Sequence, residues 1–170
     1  SEMLFDSFDK ESDDWAVGWI LQVLKMKKPE FFRNTIYNNW FSTSSNEDID
    51  YSDLQINLLE QKFEEADRLT SSYLRRLAGK VAEKRGYVFY SEVKNMSDSD
   101  LVTMHRLWKI YSQGKFGFSV QAKLLKSVDK RYELLWPKIG WKTNGIWTRY
   151  PSSFNWSIEA PEGHMPLVNQ

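Results

Sequence analysis

Apolar residues recur at helical spacing along most of this 170-residue chain. Trp15, Trp19 and Val23 fall at i, i+4 and i+8, which predicts one inward stripe on a helix capped by Asp13 or Asp14 and running to about Lys27. Lys25, Lys27 and Lys28 suit the negative dipole end of that helix. Pro29 fits the first turn of a second helix, along which Phe32, Ile36 and Trp40 repeat every four residues. The two predict a helical hairpin. Residues 1–13 before it are polar, and the stretch from Ser42 to Asp50 after it reads as a linker. The predicted organisation is therefore a short N-terminal helical appendage over 1–45 and a core domain over 46–170.

The core continues the pattern. A helix is predicted near Tyr51–Gln61 from Leu54, Leu58 and Leu59, and another over Phe63–Ala78 with Phe63, Ala66, Thr70, Tyr73, Leu74 and Leu77 on one side. Gly79 supplies its stop. Residues 80–86 are short and basic, and Tyr87–Val93 has the composition of a strand or an aromatic loop. Ser97-Asp98-Ser99-Asp100 is a variant of the capping box and launches a helix with Leu101, Met104, Leu107, Trp108 and Tyr111 inward. Gly114 stops it. Ser119 is expected to cap the next helix, with Val120, Leu124 and Val128 at i, i+4 and i+8, and a short helix follows at Tyr132–Pro137. From Trp141 onward Gly, Pro, Ser and Asn interrupt the aromatics, so irregular chain is expected. The fold class is all-α.

Composition narrows the chemistry. With no cysteine, a disulfide scaffold, a thiolate metal site and a cysteine nucleophile are excluded. No apolar run approaches the roughly 20 residues that span a bilayer, and the acidic first twenty residues fit neither a secretory signal nor a transit peptide, so the chain reads as soluble. The formal net charge is zero, but it is unevenly laid: Asp and Glu dominate before Asp50, and Lys and Arg dominate after Leu101. Aromatic residues make up 15% of the chain, more than a core this small requires. An acidic front followed by a basic, aromatic back points to an anionic partner.

Enzyme signatures are missing. Neither a nucleophile–base pair nor a P-loop, G-x-S-x-G or H-E-x-x-H motif occurs. Glu64, Glu65 and Asp67 cluster on a predicted helix and read as a solvated face. Of the two histidines, His105 reads as a half-buried structural residue and His164 as a partner for the backbone. Between 101 and 156, rings such as Trp108, Trp136, Trp141, Trp147 and Trp156 alternate with cations such as Lys109, Lys126, Arg131, Lys142 and Arg149. Two ligand classes fit. One is single-stranded nucleic acid, with bases stacked and phosphates paired. The other is a flat, anionic, aromatic small molecule. A haem sensor using His105 or His164 as axial ligand is a further alternative.

The run Asp100-Leu101-Val102-Thr103-Met104-His105-Arg106-Leu107-Trp108-Lys109-Ile110-Tyr111-Ser112-Gln113-Gly114-Lys115-Phe116-Gly117-Phe118-Ser119-Val120-Gln121 closely resembles the signature of the Genomes-Uncoupled-Four family. Four other segments are similar to the family as well: Phe63–Asp67 (F-x-x-A-D), Lys84–Val93, Trp136–Trp141 and Pro161–Asn169. The resemblance covers about 51–170.

That resemblance implies a helical core shaped like a cupped hand that binds protoporphyrin IX and Mg-protoporphyrin IX as ligands, without a protein-bound metal. It implies a regulator, not an enzyme, which stimulates magnesium chelatase in chlorophyll biosynthesis through the large porphyrin-binding subunit. The chain is expected to be monomeric and peripherally membrane-associated, with no nucleic-acid partner. It is expected in the plastid stroma or, alternatively, in a cyanobacterial cytoplasm. Carried over residue by residue, the matching motifs suggest Val81 and the Arg85–Tyr90 segment, with Arg85, Phe89 and Tyr90, as one wall, Trp147 over the macrocycle and Asn169 in the closing P-L-x-N motif. Members of the family usually continue after that asparagine with Leu-Arg-Gly, whereas this sequence ends at Gln170, so the resemblance leads to the expectation of an incomplete propionate clamp. The N-terminal appendage is also shorter than the helical bundle found in many cyanobacterial members.

Overall fold

The computed structural model describes residues 14–37, 43 and 45–167 of the protein. The stripe positions Trp15, Ile36 and Trp40 lie outside the described side chains, as do residues 1–13 and Asn169. The described chain is mostly helical, as its periodicity predicts. In order it forms α1 (Asp14–Lys27), α2 (Pro29–Tyr37), α3 (Ser52–Leu59), α4 (Phe63–Ala78), α5 (Lys80–Arg85), α6 (Tyr90–Val93), α7 (Asp98–Tyr111), α8 (Phe118–Ser127) and α9 (Tyr132–Lys138). A two-stranded antiparallel hairpin follows, β1 (Lys142–Thr143) and β2 (Ile146–Trp147). Among the described residues no helix is long and apolar enough to cross a membrane.

Helix α7 is the centre. Leu101, Met104, Leu107, Trp108 and Tyr111 are all buried, as the spacing predicts, and so are His105 and Ile110 on the adjoining arc. A helix buried on this much of its circumference must be covered from several sides. Helices α1 and α3 pack on it, and α4 packs on α3. Phe63 on α4 stacks on Trp108 with centroids 6.1 Å apart, and Phe116 meets Phe63 edge-on at 5.5 Å. The Trp108 indole donates to the Thr70 hydroxyl at 2.9 Å, and that hydroxyl donates to the Ala66 carbonyl at 2.8 Å. A smaller apolar cluster of Val120, Leu124, Leu135 and Ile139 joins α8 to α9.

The predicted linker ends on α7. The Asp100 carboxylate accepts from the Ser45 hydroxyl at 2.5 Å, the Asn46 amide at 3.0 Å and the Tyr51 hydroxyl at 2.8 Å. Burial alone would raise its pKa, but hydrogen bonds from the Ser45, Ser97 and Tyr51 hydroxyls and the Asn46 amide outweigh that and hold it low. Ser97 caps α7 as predicted, accepting from the Asp100 amide at 3.4 Å.

Four expectations are corrected. On α1, Trp19 and Val23 are exposed, and the buried face carries Gly18 and Leu21. The reason is a close crossing: a Cβ at residue 18 would collide with the Ile110 carbonyl, so only glycine lets the two backbones approach. That contact turns Trp19 outward. Residues 80–85 are helical, and of the two readings of Tyr87–Val93 the loop holds only for Tyr87–Phe89, since Tyr90–Val93 forms α6. Helix α8 begins at Phe118 after Gly117, so Ser119 lies inside it and its hydroxyl faces His105 Nε2 at 3.2 Å. The chain after Trp141 opens with an ordered hairpin.

Two expected outcomes follow from this core. Trp108→Phe removes the indole that fills the centre and accounts for the Thr70 contact, so urea unfolding should show a loss of about 2–4 kcal/mol. His105 is fully buried, and desolvation, aided by Lys109, Lys123 and Arg106, lowers its pKa to about 3. The folded protein thus keeps it neutral while the unfolded chain protonates below about 6.5, so this group destabilises the fold progressively as pH falls from 6.5 towards 3. Replacing it by glutamine should flatten that part of the stability–pH profile relative to wild type.

Candidate functional site

Gly79 ends α4 with φ 103° and turns the chain directly into α5. On α5, Val81 and Arg85 are one turn apart, and Ala82 is the buried anchor. Gly86, left-handed at φ 89°, then reverses the chain around Arg85. The Arg85 guanidinium donates from Nε and Nη2 to the Tyr87 carbonyl at 3.1 and 2.9 Å, and pairs with Glu92 at 2.5 Å. It also lies 4.0 Å from the Phe89 ring centroid and 4.8 Å from that of Tyr87. Glu92 closes the turn by accepting the Phe89 amide at 2.7 Å, and this bond, with Arg85 second, holds its carboxyl below the usual range.

Arg85 and Phe89 are therefore brought together, with Arg85 holding the turn that presents the rings. What the turn presents is apolar. Val81 is 71% exposed and Tyr90 88%, while Phe89, Tyr87 and Val93 stand substantially in solvent beside them. Tyr87 lies within the Arg85–Tyr90 segment that the resemblance points to, whereas Val93 lies beyond it.

Trp147 belongs to a second group. Asn144 and Gly145 both have positive φ, 51° and 80°, which is the two-residue turn that matches hairpin twist. This turn places Trp147 opposite Lys142, whose ammonium lies 5.1 Å from the ring centroid. Behind it runs a ladder of rings: Trp136 is 5.8 Å from Trp147, 5.5 Å from Trp141 and 5.3 Å from Tyr132. Trp141 is tied down by its indole, which donates to the His164 carbonyl at 2.8 Å. Trp147 and Ile146 remain exposed at the tip. The Asn-Gly dipeptide between Lys-Thr and Ile-Trp was the sequence signal for this hairpin.

A third group was misread from sequence. Asp67 is fully buried and is not part of a solvated acidic face. It lies on the stripe of Phe63, Ala66, Thr70 and Leu74, and that position was the available signal. Its carboxylate accepts the Leu167 amide at 2.7 Å and the Tyr150 hydroxyl at 3.3 Å. Burial pushes its pKa up to about 7 against those two bonds. Tyr150 packs on Phe154 and Trp156, so one carboxylate ties both the aromatic loop and the C-terminal segment to α4.

The histidines are structural. His164 is buried and its Nδ1–H donates to the Ile139 carbonyl at 2.6 Å, as its reading as a backbone partner predicts. His105 is buried more deeply than expected. Neither ring reaches a surface where it could ligate the metal of a bound haem. A hollow of about 530 Å³ lined by Ser112, Gln113, Gly114, Lys115, Ile158, Glu159 and Glu162 contains none of the predicted ligand residues.

Comparison with known proteins agrees with this architecture. A family model described as GUN4-like matches residues 44–170. The chain is 42% identical over 159 residues to a Ycf53-like protein of Synechocystis, covering 91% of this chain and 68% of that protein. It is 39% identical over 125 residues to a chloroplastic tetrapyrrole-binding protein of Arabidopsis thaliana, covering 68% of this chain and 47% of that one, so it spans about half of that relative's length. Its fold superposes on GUN4 from Chlamydomonas reinhardtii with a TM-score of 0.73 at 37% identity, covering 81% of this chain and 88% of that chain. The ligand-free structure of Arabidopsis thaliana GUN4 gives 0.64 at 38% identity, over 70% and 84% of the two chains. With its buried α7 signature and helical core matched from residue 44 onward, the chain belongs to the GUN4-like family.

Proposed function

We propose that this chain is a non-catalytic tetrapyrrole-binding protein that takes protoporphyrin IX and Mg-protoporphyrin IX and stimulates magnesium chelatase through its large porphyrin-binding subunit. The observation that carries the binding reading is the concentration of exposed apolar side chains on two supported elements, Val81, Tyr87, Phe89 and Tyr90 on one and Ile146 and Trp147 on the other. Exposed apolar groups clustered in this way mark a binding surface. A porphyrin offers two apolar faces and a carboxylate edge. Lys142 beside Trp147 is a cation suited to that edge, whereas Arg85 is already engaged by Glu92. The name of the Arabidopsis relative supports the same ligand class. The family motif adds Asn169 to the proposed ligand residues.

The setting is plastid or cyanobacterial, in keeping with relatives from Synechocystis, Porphyra purpurea and a chloroplast. We assign residues 46–170 as the porphyrin-binding unit and 1–45 as the appendage, a division supported by the family match starting at 44. The protein acts as a monomer. Peripheral membrane association is supported by the outer face of the first hairpin, where Trp19, Ile20, Met26 and Phe31 are exposed beside Lys27 and Lys28.

A porphyrin has about forty heavy atoms, which at roughly −0.3 kcal/mol each sets a ceiling near nanomolar affinity. Titration with protoporphyrin, followed by Trp quenching and the Soret shift, should saturate below micromolar ligand; no saturable change up to micromolar ligand would sink the proposal. Trp147→Ala should weaken binding several-fold, and equal affinity would remove that residue from the site. In sedimentation with vesicles containing anionic lipid, the protein should pellet, and Trp19→Ser with Met26→Ser should leave it in the supernatant. Unchanged pelleting of that variant would place membrane contact elsewhere.

A further inference from the structure

Asp67 is a costly residue for its position. A carboxylate with no exposed surface is disfavoured in its charged form, and an apolar residue on the inward stripe of α4 would suit the core better. What Asp67 contributes includes two distant partners. The Leu167 amide and the Tyr150 hydroxyl come from segments 100 and 83 residues away in sequence, and they meet on one side chain. Tyr150 lies three residues after Trp147, and Leu167 two residues before Asn169. Both arms that carry proposed ligand residues are thus fastened through the same carboxyl group.

We propose that Asp67 is a proton-operated clasp, a positioning residue whose protonation favours closure of the aromatic loop and the C-terminal segment onto α4, and so sets how readily a bound ligand is released. The ligand part of this rests on the porphyrin-binding reading above; the clasp itself does not.

The sign follows from linkage. In the closed clasp the carboxyl is buried and retains its proton up to about pH 7, whereas in an open clasp it meets water and titrates near 3.8. Closing therefore takes up a proton between these values. The opening equilibrium rises as pH increases towards 7 and levels off above it. Between pH 6 and pH 8 the two titrations combine to about a tenfold increase in opening. Among the described residues, groups facing Asp67 include Arg68 and Glu64 on its own helix and the Tyr150 hydroxyl on the loop. The C-terminal segment presents the Leu167 amide and, three residues earlier, His164. Any contribution from these groups or from the porphyrin's own titration persists in a variant that lacks only the Asp67 proton.

The experiment is a pH series on the ligand-free protein and on Asp67→Asn, whose amide mimics the protonated state. Amide exchange over 148–156 and 160–167, corrected for the intrinsic rate at each pH, should show protection falling about tenfold from pH 6 to pH 8 in wild type. The same segments should show a flat profile in D67N. Equal pH dependence in both proteins overturns the clasp. Tyr150→Phe removes the hydroxyl that lowers the carboxyl's pKa, so its profile should keep the same shape with a midpoint above that of wild type. If D67N does not fold, an unshifted midpoint in Y150F overturns the proposal. A second arm measures protoporphyrin dissociation, which should be about tenfold faster at pH 8 than at pH 6 in wild type and pH-independent in D67N, after subtraction of the porphyrin's own titration. Binding with no such difference overturns the coupling to release, while a complete lack of binding refutes the porphyrin reading and leaves the exchange result to decide the clasp.

Discussion

One buried indole sets the register of the core. Trp108 has no exposed surface, and its N–H must find a partner inside the protein. It finds the Thr70 hydroxyl on α4, which in turn is held by the Ala66 carbonyl. This fixes α4 against α7 both along its axis and about it. Asp67 lies three residues before Thr70 on the same inward stripe, so its direction follows. The turn at Gly79, and with it α5 and α6, hangs from the other end of the same helix. A slip between α4 and α7 would displace all three.

The most distinctive stretch of sequence is thus scaffold. Residues 100–121 supply the buried helix, the Phe116 ring edge-on to both Phe63 and Trp108, and Ser119 against His105. None of its fully buried rings can face a ligand. The exposed apolar residues of the proposed porphyrin site sit on the shortest elements, a six-residue helix, a four-residue helix with the turn before it, and a pair of two-residue strands. Identification and the proposed ligand surface therefore draw on different parts of the chain. Family membership can be read from the core even where individual ligand residues cannot.

What was legible followed from length and period. Helices α4 and α7 are long enough for a period to show, and α7 has both its Ser97 cap and its inward residues where the pattern predicts them. Short elements give no such redundancy. Residues 80–85 are too few to show a period, and their helix is defined by Gly79 and Gly86 at its ends. The face of α1 was misassigned because large rings normally seek burial, but a backbone contact at Gly18 decided the rotation instead. Asp67 was misassigned because a carboxylate next to Glu64 and Glu65 looks solvated. Only its partners, more than 80 residues away, show why a charge-capable group is tolerated there.

These exceptions have a common cause. A surface that offers apolar side chains to a ligand cannot also bury them to hold itself in place. The elements carrying Val81, Phe89, Tyr90 and Trp147 must be secured by other means, and the structure shows which. Arg85 and Glu92 close the turn before α6, an Asn-Gly turn shapes the hairpin, the Trp141 indole and His164 bond to backbone carbonyls, and Asp67 fastens the two C-terminal arms. Hydrogen bonds and ion pairs are directional, so they can position a side chain without covering it. Unlike apolar burial, those made by titratable groups respond to protons. The same substitution of polar ties for apolar packing that leaves the rings exposed therefore makes their placement sensitive to pH, most of all where a single buried carboxyl serves two segments at once.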